Sequence, residues 1–174
     1  MASLVEEIRQ LREETSCGVI DCKKALEETQ GDFKKAKEIL RKRGLEMAAK
    51  KAGRAATEGR VESYIHTGNK MGVVVEVNCE TDFVARNEDF IAFTRDLAMH
   101  IAALAPKYIK KEDIPAEVLD NQLDKEAFAK ANCLLLQGFV KDPSKTIGDY
   151  LNELVAKIGE NIQINRFVRF KIGE

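Results

Sequence analysis

The apolar positions change period along the chain. From the N-terminus they recur every three or four residues: Leu4, Ile8 and Leu11, then Cys22, Ala25 and Leu26, then Phe33, Ala36, Ile39 and Leu40. Each set lines one face of a short helix. The residues between the sets carry stop and start signals. Ser3 and Glu6 have the S-x-x-E spacing of a capping box, and Thr15-Ser16-Cys17-Gly18 breaks the first helix. Gly31 suits a left-handed helix end, Asp32 caps the third helix, and Gly44 is expected to stop it. Beyond Gly59 the pattern becomes that of strands. Val61 to His66 and Val73 to Val77 flank Thr67-Gly68-Asn69-Lys70, which predicts a hairpin. Helical spacing returns from about Glu88 through Phe90, Phe93, Leu97, Ile101 and Leu104 until Pro106. Pro115 opens an uneven helical region to about Phe139, Asp142-Pro143-Ser144 predicts a turn, and Thr146 caps a helix that Gly159 stops. The final run, Ile162, Ile164, Val168, Phe170 and Ile172, is spaced by twos with only Arg166 interrupting. It reads as a half-buried strand whose five apolar side chains face one way.

These elements predict an α+β chain in two parts. Residues 1–55 form a small three-helix module, and residues 56–174 form an α+β core with a three-stranded, antiparallel sheet. The module is small enough to need docking or tethering. With 174 residues, 44% hydrophobic and 33% charged, the chain can build a packed core, which excludes disordered and fibrous classes. No apolar run approaches the roughly 20 residues of a membrane helix, so no membrane partner is expected. The first 14 residues carry four glutamates and look helical, unlike a signal or transit peptide, so a reducing, cytoplasmic setting is expected.

The formal net charge of −1 hides an asymmetry. Residues 34–60 hold 10 basic and 3 acidic residues, among them Lys34, Lys35, Arg41, Lys42, Lys50 and Lys51. Such a stretch could meet phosphate, and an RNA-binding translation protein is the second reading of the chain. No aromatic side chain interleaves the basic ones to stack on bases, so a solvated helix face and linker is favoured and no nucleic-acid partner is expected. Cys17, Cys22, Cys79 and Cys133 form no C-x-x-C pair, and His66 and His100 are far apart. They read as small buried hydrophobes and isolated imidazoles, so no metal, cofactor or catalytic group is expected. An enzyme using Cys79 with Glu80 or Asp82 lacks a nearby histidine base.

The unusual place is the junction Asn78-Cys79-Glu80-Thr81-Asp82-Phe83-Val84, between the hairpin and the following helix. Phe83 precedes the polar run Arg86-Asn87-Glu88-Asp89 and belongs to no apolar stripe. It is either a core aromatic, with Asp82 a turn or cap residue, or an exposed anchor for another protein's groove.

Three blocks carry a resemblance. Leu11 to Leu26 (LREETSCGVIDCKKAL), Val75 to Ala85 (VEVNCETDFVA), and the set Ala98 to Ala103 with Gln137 to Thr146, Ile158 to Ile162 and Arg166 to Phe170 span nearly the whole chain. Together they are similar to the elongation factor Ts family, guanine-nucleotide exchange factors of the GTPase elongation factor Tu. The resemblance implies a ubiquitin-associated-like N-terminal module and a partner, elongation factor Tu, engaged in its GDP-bound and nucleotide-free states. It implies that Thr81, Asp82, Phe83 and Val84 enter the GTPase near its switch region and disturb its Mg²⁺ site. It also implies that Arg12, Val19, Ile20 and His100 contact the partner, and that the protein is an exchange factor and not an enzyme. The chain departs from the family at Thr15 to Ile20, where the family commonly has Thr-Gly-Ala-Gly-Met-Met. Ser16 stands in place of a glycine, and Val19 and Ile20 stand in place of methionines. The region between about Asp120 and Cys133 is shorter than in the family. The long family form has a duplicated core; with one copy here, a homodimer is a further expectation.

Overall fold

The computed structural model describes residues 4–15 and 17–174, so the expected cap at Ser3 and the position of Ser16 lie outside the described residues. The chain divides into two units, residues 1–54 with 152–161, and residues 55–151 with 162–174. The first unit thus takes in a segment, 152–161, that the sequence pattern groups with the core.

In the first unit, α1 (Leu4–Thr15), α2 (Val19–Glu28) and α3 (Phe33–Lys51) bury Leu11, Cys22, Ala25, Leu26, Ala36 and Leu40 against one another. Gly31, at φ +84, gives its N–H to the Leu26 carbonyl and closes α2, and the Asp32 carboxylate accepts the Lys35 N–H to open α3. The helix α3 does not stop at Gly44. One glycine costs a helix about 1 kcal/mol, and the run Leu45-Glu46-Met47-Ala48-Ala49-Lys50-Lys51 favours helix strongly enough to carry it seven residues further.

In the second unit, β1 (Glu58–Ile65) and β2 (Met71–Cys79) form the hairpin, and β5 (Gln163–Lys171) pairs antiparallel with the other side of β2. The helix α5 (Glu88–Leu104) packs across β1 and β2, with Phe90, Phe93, Leu97 and Ile101 buried on its side and Val73, Val75 and Val77 on the sheet's. Between β2 and α5 lies a single helical turn, α4 (Asp82–Ala85). The expected helix before Phe139 is split into α6 (Ala116–Asp120) and α7 (Lys125–Asn132). A two-stranded ribbon, β3 (Gly138–Phe139) with β4 (Asp142–Thr146), replaces the expected turn at Asp142 to Ser144. Thr146 does cap α8 (Ile147–Ile158): its hydroxyl donates to the Asp149 carboxylate at 2.8 Å and accepts the Asp149 N–H at 3.0 Å.

The last strand departs from its pattern. Glu76 pairs with Arg166 but Val77 pairs with Ile164, so Asn165 is an extra residue, a β-bulge. Past the bulge the alternation changes face. Ile162 and Ile164 are buried, whereas Val168, Phe170 and Ile172 are exposed and the half-buried Phe167 takes the helix-side position opposite Val75. The Glu76 carboxylate fastens the bulge, accepting from Asn165 Nδ2 at 2.8 Å and Arg166 Nε at 2.7 Å. These two bonds, Asn165 first, hold the Glu76 carboxyl below its ordinary pKa.

Candidate functional site: an exposed aromatic turn

The turn α4 follows directly from the sheet. At the start of β1, Gly59 has φ +150, and a Cβ there would lie 2.3 Å from the Val77 carbonyl oxygen. Only glycine lets the hairpin backbones meet this closely where β2 ends at the buried Cys79. The Cys79 thiol donates to the Thr81 carbonyl at 3.2 Å, so the cysteine is a packed donor and not a nucleophile beside a base. Thr81 is the N-cap of α4, its hydroxyl accepting the Val84 N–H at 3.4 Å. Asp82 meets the Arg86 guanidinium at 2.9 Å across one turn. Phe83 stands at the crest with 80% of its surface exposed. A phenylalanine so open is not part of the core, and among the described residues it is the most exposed aromatic of the large apolar side chains.

The structure places the four expected wedge residues on this one turn. The other four fall elsewhere. Arg12, Val19 and Ile20 are exposed in the first unit, Val19 at 50% and Ile20 at 68%. Arg12 and Val19 border an open groove of about 560 Å³ together with Val5, Ile8 and Lys157. His100 is a correction. It was expected to touch a partner, but helical spacing from Leu97 and Ile101 turns it inward, and its ring is fully buried. Its Nδ1 accepts the Val140 N–H at 3.3 Å, so Nε2 carries the proton and donates to Gln137 Oε1 at 3.1 Å. Gln137 passes the chain on to the Ala131 carbonyl at 2.7 Å. Burial pushes the imidazole's pKa below its ordinary value, the Gln137 bond opposing. His100 therefore ties α5 to the ribbon beginning at β3 through a buried polar link.

The basic stretch forms much of α3. Among its cations Lys35 pairs with Asp32, Lys37 with Glu14, and Arg43 with Glu28 at 2.7 Å. Among the described residues, no group of three or more His, Cys, Asp and Glu is placed to hold a metal ion. Nor is any helix among them long and apolar enough to cross a membrane.

Comparison with known proteins turns the resemblance into an assignment. The family profile described as Elongation factor TS matches residues 2–127 and 122–174. The chain belongs to the elongation factor Ts family. It is 50% identical over 199 aligned positions to Elongation factor Ts of Geobacter sulfurreducens, covering 100% of this chain and 91% of that protein. It is 52% identical over 190 positions to Elongation factor Ts of Carboxydothermus hydrogenoformans, covering 96% of this chain and 88% of that protein. The same identity holds for Elongation factor Ts of Caldanaerobacter subterraneus subsp. tengcongensis, with 96% and 95% covered. The two profile matches overlap at 122–127, across the end of the link between α6 and α7 and the start of α7, and Leu123 in that link stands wholly in solvent. An elongation factor Ts alignment of 199 positions also exceeds the 174 residues here, so the Geobacter relative has residues this chain lacks.

Proposed function

We propose that this elongation factor Ts promotes GDP release from elongation factor Tu, with Phe83 as a wedge that enters near the switch region and disturbs the Mg²⁺ site. The observation that carries the reading is the solvent-exposed phenylalanine at the crest of a turn rooted in the sheet. An exchange factor works by binding the nucleotide-free GTPase better than the loaded one, and linkage weakens nucleotide binding by the same factor. Burying the Phe83 ring in the partner supplies about 2–3 kcal/mol, available only in the state whose groove has opened. Asp82 assists by carrying negative charge toward the phosphates, its carboxylate held beside the ring by the ion pair with Arg86. Arg12, Val19 and Ile20 anchor the first unit on the partner and raise the wedge's effective concentration. His100 acts only indirectly, by holding the ribbon.

The test is release of a fluorescent GDP from elongation factor Tu, followed over a range of concentrations of this protein. Phe83→Ala lowers the limiting release rate by about one to two orders of magnitude and leaves the circular dichroism spectrum unchanged. Ile20→Asp raises the half-saturating concentration and leaves the limiting rate alone. An unaltered limiting rate in Phe83→Ala defeats the wedge.

The sheet supports the homodimer reading. Its face away from α5 bears Val61, Ile65, Val74, Val168, Phe170 and Ile172, all exposed. A contiguous apolar row of this kind marks an association surface. A second copy is the occupant we infer, because the row is closed at one end by the internally neutralised Glu76–Arg166 pair, so a twofold axis can lay two such rows on each other without burying an unpaired charge.

A further inference from the structure

A helical turn of four residues does not hold itself together, because nucleation is unfavourable before several hydrogen bonds have formed. Yet α4 presents Phe83 on such a turn, so something outside it must supply the order. Two side chains with no assigned role are placed to do so. The first is Cys79. Its thiol donates to the Thr81 carbonyl at 3.2 Å, and that same oxygen accepts the Ala85 N–H at 3.2 Å, the bond that closes the turn. The thiol is buried at the end of β2, so it fixes this carbonyl relative to the sheet. The second is Arg86. Its guanidinium reaches back to Asp82 at 2.9 Å, and its backbone N–H donates to the Phe83 carbonyl at 3.2 Å. One residue pins the start of the turn from inside the fold and the other ties its two ends together from outside.

We propose that Cys79 and Arg86 are positioning residues that hold the turn ordered before binding, so that Phe83 is already aimed when the partner arrives. The inference rests on the reading of Phe83 as a wedge. A preordered segment avoids a loss of conformational freedom on association, so removing either fastener weakens binding more than it slows the step that follows.

The experiment is the same GDP-release titration, with four variants of the full chain. Cys79→Ala and Arg86→Ala each raise the half-saturating concentration about fivefold and leave the limiting rate within twofold of the parent, whereas Phe83→Ala lowers the limiting rate. Cys79→Ser, which keeps a donor, stays within about twofold of the parent in both quantities. Potassium chloride at about 0.5 M shrinks the difference between the parent and Arg86→Ala, because an exposed ion pair is screened, and does not shrink that for Cys79→Ala. Amide hydrogen exchange gives a reading without the partner: the Ala85 N–H exchanges faster in Cys79→Ala and Arg86→Ala and at the parental rate in Cys79→Ser. Arg86 is exposed, so its variant folds even if Cys79→Ala does not. The proposal is overturned if Phe83→Ala is defective while Cys79→Ala and Arg86→Ala match the parent in half-saturating concentration. If Phe83→Ala is normal, the wedge reading fails instead, and unchanged Ala85 exchange in both variants then overturns the positioning role separately.

Discussion

Because His100 accepts a backbone N–H on Nδ1 and donates from Nε2, a second proton on the ring would break its bond with Val140. The folded ring is therefore held neutral, with its pKa below the roughly 6.5 of an unfolded chain. Its stabilising contribution is complete above the unfolded pKa and is lost as pH falls toward the folded one. The slope is at most about 1.4 kcal/mol per pH unit for this one proton. Thermal melts from about pH 8 to about pH 5 should show the melting temperature falling below about pH 6.5, and a His100→Gln variant should lack that fall. Gly59 is the other position where one atom decides. A Cβ placed 2.3 Å from the Val77 oxygen forces the hairpin apart, so Gly59→Ala should cost about 2 kcal/mol or more in urea unfolding and loosen the base of the Phe83 turn. At this scale the sequence was legible where chemistry is local, as at Asp32 and Thr146, whose caps need only their own neighbours. It was incomplete at His100, whose contact role came from the resemblance and whose partners Gln137 and Val140 are supplied by a distant segment.

At the scale of elements, period reveals which residues share a face only while the backbone keeps its count. The stripes of α1, α2 and α3 obey it, and Leu11, Cys22, Ala25, Leu26, Ala36 and Leu40 are buried as their spacing requires. In β5 a single inserted residue, Asn165, divides one apparent stripe into two, and nothing in the residues from Ile162 to Ile172 announces it. The signal that could have found it is the pairing itself: Glu76 on the neighbouring strand needs both Asn165 and Arg166 within reach. Deleting Asn165 should remove the bulge and leave a regular strand, with Ile164 and Phe167 still on the helix side and Val168 and Phe170 still outward. The expected outcome is retained cooperative thermal unfolding with a modestly lowered melting temperature, since the Asn165 bond to Glu76 is lost. The milder Glu76→Gln should lower stability at neutral pH with a difference that vanishes on acidification, since the carboxylate's contribution is present above its unfolded pKa and lost as pH falls through the folded one.

For the whole molecule, the Phe83 turn and the apolar sheet row were legible to different degrees. The turn stood out because Phe83 fits no stripe, and its motif resembles a known family. The row did not, because half of it was counted as core. If the row joins two copies, the melting temperature rises with protein concentration, and Phe170→Glu abolishes that dependence while yielding a monomer in sedimentation equilibrium. The expected division of the chain differs from the contact grouping chiefly at residues 152–161: they begin inside α8 with no break in pattern, and three-dimensional contact groups them with the N-terminal helices. The link between α6 and α7 has a practical consequence. Leu123 there contributes nothing to any core, and it lies within the overlap of the two family-profile matches. A backbone that this chain leaves bare is a natural graft point: a fluorescent reporter spliced in after Leu123 should give a traceable factor whose working surfaces are undisturbed.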